Sequence, residues 1–129
     1  MPADTVDEIR RLLKSMEAST PGIEASAVVS MQGLPIVTAM PKDVDDSIVA
    51  AMAAAILGVS ERAANELARG KLEQILIQGD RGYIILKHAG EEALLSVLTK
   101  ADSNLGMIFL MLKGVAQKVS LLLASVRAP

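Results

Sequence analysis

The segment from Asp43 to Gly70 constrains the fold more than any other part of the chain. It reads as one long helix, Val44 to Arg69, opened by Asp43, Asp45 and Asp46 and stopped at Gly70. Acidic residues at that opening face the positive end of the helix dipole. A helix of this length must cover its apolar side with another element. Placed at intervals of about 100° per residue, Ile48, Val49, Met52, Ile56, Val59 and Leu67 form an arc wide enough to cover a sheet. Glu61, Arg62, Asn65 and Arg69 lie on a roughly opposite arc. Between them runs a narrow stripe, Ala50, Ala53, Leu57, Ser60 and Ala64, whose spacing alternates three and four as in a helix–helix seam. Small residues there would let a second helix approach closely. Ala is equally a good helix former at positions that touch nothing, so both readings stay open.

The flanking sequence supplies the rest of the frame. Thr5 and Glu8 have the spacing of a capping box, and Val6, Ile9, Leu12, Leu13 and Met16 recur at helical spacing until Pro21-Gly22. Glu24 to Met31 and Leu34 to Met40 read as strands joined at Gln32-Gly33, where glycine supplies the positive φ of a tight turn. Pro35 lacks a ladder N–H, which predicts an edge strand or a bulge at its start. After the long helix come Leu72 to Gln78, Gly82 to His88 and Glu92 to Thr99, separated by glycine-containing turns. The run Ala93 to Leu98 is almost wholly apolar, as in a central strand covered on both faces. Asp102, Ser103 and Asn104 offer caps for a last helix, Leu105 to Val126, with Ile108, Leu112, Val115, Val119, Leu122 and Val126 on one stripe. The order is α-β-β-α-β-β-β-α, an α+β sandwich around a five-stranded antiparallel sheet. It reads as one domain over residues 1–129.

Composition narrows the function classes. The 129 residues are 51% hydrophobic, yet include one Tyr, one Phe and no Trp. Disordered chains lack such aliphatic content, and stacking on single-stranded nucleic acid needs several exposed rings. A formal net charge of −2 argues against a phosphate-backbone surface, so no nucleic-acid partner is expected. With no Cys, disulfides, thiolate metal sites and Cys nucleophiles are excluded. Met1-Pro2-Ala3-Asp4 has neither a basic nor an apolar leader region, and a cytoplasmic protein is the expectation. The uncharged run from Ser47 to Ser60 falls short of the roughly 18–20 residues of a spanning helix, so no membrane insertion is expected.

Catalytic motifs are missing. The single histidine, His88, sits at a strand end near Glu91 and Glu92, which fits a solvated side chain better than a metal ligand. Gly70-Lys71 lacks the upstream glycine and the following Ser or Thr of a phosphate-binding loop. Arg62 and Glu66 are spaced as a solvated i,i+4 pair, although an exposed Arg on a helix also suits a partner-binding charge or an arginine finger. Met52, Met107 and Met111 fit core or interface filling. Neither a cofactor nor an enzymatic activity is expected.

Several short motifs, in order, resemble the roadblock (dynein light chain, roadblock-type) family of small GTPase regulators. They are Pro21-Gly22-Ile23-Glu24, Gln32-Gly33-Leu34-Pro35-Ile36, Ala51 to Gly58 continuing through Ser60-Glu61-Arg62-Ala63, Gly82-Tyr83-Ile84, and Asp102 to Gly106. The resemblance spans about Val6 to Val119. It implies a roadblock/profilin-like fold, with the central helix on one sheet face and the terminal helices on the other. It also implies a homodimer paired through the central helix and the third strand into a ten-stranded sheet. Carried onto this chain, that surface is Ala50, Ala53, Leu57 and Ala64 with Leu72, Gln74 and Leu76. Glu61, Arg62, Asn65 and Glu66 are then candidates for contact with a small Ras-like GTPase. The implied function is a non-enzymatic regulator of that GTPase, or alternatively a passive dimeric scaffold without effect on hydrolysis.

Overall fold

The computed structural model describes residues 1–127; the last two positions of the expected domain lie outside the described residues. Its elements are α1 (Ala3–Ser19), β1 (Ile23–Ser30), β2 (Pro35–Ala39), α2 (Asp46–Glu66), β3 (Gln74–Gly79), β4 (Gly82–His88), β5 (Ala93–Lys100) and α3 (Leu105–Arg127). The strands form one antiparallel sheet in the order β2-β1-β5-β4-β3. This is the expected α+β architecture with every element in place.

The sheet's details follow from its turn residues. At the β1–β2 hairpin, Ser30 N–H donates to the Leu34 carbonyl at 2.8 Å, and Gly33 N–H donates to the Ser30 carbonyl at 3.0 Å. Gly33 has φ +90, and a Cβ there would stand 3.4 Å from Ala51 Cα and 3.5 Å from Ala54 Cβ of α2. The positive φ of the turn favours glycine here, while the space toward α2 would accept a Cβ in ordinary contact. Pro35 begins the edge strand β2, and the register slips between Val28 and Val29, opposite it. Strand β5 lies at the centre and is buried along nearly its whole length, as its apolar run predicts.

Two cores flank the sheet. The larger joins Ile9, Leu13 and Met16 of α1 and Ile108, Leu112 and Val119 of α3 to Val28, Val37, Ile85, Leu95 and Val97. Tyr83 and Phe109 pack partly buried against it. The smaller joins Ala50, Ala53 and Leu57 of α2 to Ala27, Val29, Leu86 and Leu94.

Several element ends differ from the sequence expectation: α2 begins at Asp46 after its Asp45 cap and not at Val44, and β3 begins at Gln74 and not at Leu72. Helix α1 starts at Ala3 after Pro2, with no side-chain cap, and Val6 N–H donates to the Pro2 carbonyl at 3.2 Å. Thr5 therefore lies inside the helix, because Pro2 fixes an extended entry that lets the helix begin earlier. Helix α2 stops at Glu66, before Gly70. Ala68 takes the left-handed conformation (φ 56), and Arg69 N–H returns to the Ala64 carbonyl at 2.8 Å. Both α2 and α3 are, by length and composition, apolar enough to cross a membrane. The expectation from uncharged runs alone is corrected here, because the helices extend past the charges that end those runs. Helix α3 lays fully buried Ile108, Leu112 and Val119 against the sheet, as a core helix of a folded domain does.

Candidate interaction surface

Helix α2 is fixed at its start by Asp45, whose carboxylate accepts from Ser47 N–H at 2.9 Å and Ile48 N–H at 3.3 Å. Asp46 in the first turn accepts a hydrogen bond from Thr38 Oγ1 of β2 at 2.8 Å, tying the helix to the sheet edge. These contacts set the rotation of the helix about its axis. Ala50, Ala53 and Leu57 then point into the protomer's own sheet, at 0%, 3% and 3% exposure. Ile48, Met52, Val59 and Leu67 point outward, at 55%, 53%, 73% and 68%.

This reverses the assignment expected from the helical wheel. The stripe of Ala50, Ala53 and Leu57 is covered by the sheet and offers no surface to a second helix. Of the large-residue arc, only Val49 and Ile56 are even half-buried. The physical reason is the rotation that the Asp45 and Asp46 contacts fix. Ala50 and Ala53 pack with Leu57 against Ala27 and Val29 of β1, Leu86 of β4 and Leu94 of β5. Ala64, on the same stripe, is half-buried.

What α2 leaves outside is an apolar seam. Ile48, Met52, Ala55 and Val59 follow one another at spacings of four and three, flanked by exposed Ala51, Gly58 and Ala63. The wheel continues the seam into Arg62 and Glu66, whose Nε and Oε1 pair at 2.9 Å with both side chains largely in water. Such a pair contributes only a few tenths of a kcal/mol, roughly, to the protomer. Glu61 and Asn65 are exposed beside it.

The sheet has an open edge on the side away from β2. Strand β3 is bonded to β4 on one side only. Leu72 and Gln74 are half-buried, and Leu76 is 43% exposed. Helix α2 lies mainly over β1 and β2, so Ile84 of β4, which shares its sheet face, stays partly exposed at 37%. An unpaired strand with exposed aliphatic side chains is a template for another strand unless something covers it. Gln74 and Leu76 lie on β3 at the free edge, whereas Leu72, expected to open that strand, precedes it and packs against the smaller core. Glu61, Arg62, Asn65 and Glu66 come together at the C-terminal end of α2. The outer seam itself escaped the wheel analysis.

His88, at the end of β4, is half-buried. Among the described residues no group of three or more His, Asp and Glu side chains is placed to hold a metal ion.

A Roadblock/LC7 domain model matches residues 9–99 of this chain. Over 100 residues the chain is 44% identical to Uncharacterized protein MJ1340 of Methanocaldococcus jannaschii, a match covering 78% of this chain and 87% of that one. Among solved structures, Myxococcus xanthus MglB aligns with a TM-score of 0.87 at 15% identity, covering 97% of this chain and 94% of that one. A structure described as MglB with tetrameric arrangement aligns with a TM-score of 0.86 at 19% identity, covering 95% and 92%. At these identities the two MglB structures establish a shared fold.

Proposed function

This chain belongs to the Roadblock/LC7 domain family, and from that premise we propose that it is a non-enzymatic homodimeric regulator that binds a small Ras-like GTPase and modulates its GTP hydrolysis or nucleotide state. It acts in the cytoplasm as a single roadblock-type domain. The observation that carries the reading is the exposed seam on α2, Ile48, Met52, Ala55 and Val59, on the same side of the sheet as partly exposed Ile84, in a sheet whose β3 edge is free. Two copies joined there bury the seam and pair β3 with its counterpart, which continues the sheet to ten strands and removes its open edge. The pairing surface is thus the outer face of α2 with Leu72, Gln74 and Leu76, in place of Ala50, Ala53 and Leu57. That the MglB fold occurs in a tetrameric arrangement supports self-association of this architecture.

The partner surface is the polar end of the paired helices, formed by Glu61, Arg62, Asn65 and Glu66. Arg62 pairs with Glu66 at the surface and is assigned to docking, and the regulator acts on the GTPase's own residues.

The test adds purified protein to small GTPases from the same cell, loaded with GTP or GDP, while binding and phosphate release are followed. Binding that prefers one nucleotide state, with a changed release rate, is the expected result. Binding blind to the nucleotide, with no change in rate, would identify a passive scaffold. Absence of binding to every candidate in both states overturns the reading.

A further inference from the structure

A basic cleft lies where β3 begins, β4 ends and α3 passes. Lys71, Leu72, Glu73, Lys87, His88 and Lys113 line it, and it encloses about 390 Å³. These residues come from three separate stretches of the chain, so only folding gathers them. Neither the Arg10–Asp7 nor the Arg62–Glu66 ion pair involves the cleft's lysines. Glu73 answers one of the three ammonium charges. The next acidic residues after His88, Glu91 and Glu92, line other clefts, with Ser120 and Leu123 or with Met31 and Ile36. The chain as a whole carries −2, so the local positive excess runs against its general charge.

Lys87 and His88 are half-buried, and Lys87 is held in β4 between Gln74 and Leu95 of the neighbouring strands. Strand pairing thus fixes where its side chain leaves the backbone, at the rim of the cleft. Like charges held in a concave site concentrate positive potential, and a multivalent anion relieves it. Lysine ammonium groups are point-charge partners for phosphate. The cleft has room for about a dozen water volumes, enough for a di- or triphosphate group with part of its hydration.

We propose that this cleft binds a polyphosphorylated anion, free in solution or carried on a lipid headgroup. Titration of the intact protein with pyrophosphate and with tripolyphosphate at low salt, followed by calorimetry, is expected to show saturable binding. Lys87→Met and Lys113→Met should each weaken it about tenfold, the loss of one charge-assisted contact. Lys118→Met, elsewhere on α3, should leave it unchanged. Lys113 is exposed, so its variant tests the site even if Lys87→Met disturbs β4. A second arm sediments the protein with phosphatidylcholine vesicles containing phosphatidylinositol bisphosphate. Vesicle binding that pyrophosphate competes away and Lys113→Met abolishes places the phosphates on a lipid. Saturable soluble binding without vesicle binding places them on a free anion. No saturable binding in either arm overturns the proposal, and so does equal weakening by Lys118→Met and Lys113→Met.

Discussion

Helices α2 and α3 are the two long apolar helices of this molecule, and they meet the sheet in different ways. Helix α3 sends Ile108, Leu112 and Val119 inward, fully buried beside α1, and leaves Met107, Leu110 and Leu121 outside at 50%, 74% and 66% exposure. Helix α2 sends Ala50, Ala53 and Leu57 inward and keeps Ile48, Met52 and Val59 outside. The inward contributions thus differ in size: α3 gives large side chains to the main core and α2 gives two alanines and a leucine to the smaller one. Burial of apolar area is what stabilises a fold, so the α1/α3 side is where protomer stability concentrates.

The comparison breaks most visibly at Leu112. Leu112→Ala removes a fully buried side chain of α3 and is expected to cost about 2–5 kcal/mol in urea unfolding. A cost near zero would mean that the α3 side is not the main core. Next in size, Ala53→Leu overfills the close approach of α2 to β1 and is expected to destabilise by about 1–3 kcal/mol. Were Ala53 instead on a free seam, this substitution would be neutral or would strengthen association.

Met52→Glu on the outer seam should change protomer stability by only about 0.5 kcal/mol beyond what dimerisation contributes. It should halve the mass measured by light scattering. An unchanged dimer would place the pairing surface away from α2.

A smaller effect is expected at Glu17 of α1. Burial raises its carboxyl pKa above 4.5, against the lowering effects of the Ser26 hydrogen bond and the nearby Lys14 charge. The folded state thus holds this proton more tightly than the unfolded state. The resulting stability is full below about pH 4.5 and is lost as pH rises through the folded-state pKa. Glu17→Gln should therefore raise the thermal midpoint at pH 7 and lose that advantage on acidification toward pH 4. A larger benefit at acid pH than at neutral pH would contradict the burial argument. The smallest change is Arg62→Ala, expected to alter stability by no more than about 0.5 kcal/mol while weakening binding to the GTPase partner in pull-down.

Most of the architecture was legible because its signals are local. Glycines at 33, 79, 82 and 90 mark the turns, and the burial of β5 follows from its unbroken apolar run. Gly82 is required for a further reason, since a Cβ there would collide with the Thr99 carbonyl oxygen of β5. The helix ends were less legible. Thr5 and Glu8 have capping-box spacing, but the extended Pro2 already starts the helix. Gly70 has the chemistry of a helix stop, but Ala68 turns the chain first.

At the candidate site, the edge residues Gln74 and Leu76 and the charged cluster from Glu61 to Glu66 could be placed in advance. Position along a strand or near a helix end is a one-dimensional property. The basic cleft could not be placed, because Lys71, Lys87 and Lys113 lie far apart in sequence and share no spacing.

The sequence by itself determined the order of elements, the family and the presence of two apolar sides on α2. Periodicity records which residues share a helix face, so it separates the two sides cleanly. It does not record which side meets the protomer's own sheet. That choice was decided in three dimensions, by the Asp45 cap, the Thr38–Asp46 hydrogen bond and the packing of α2 on β1, β4 and β5. These contacts fix the rotation of the helix, which places Ala50, Ala53 and Leu57 beneath it and Ile48, Met52 and Val59 outside.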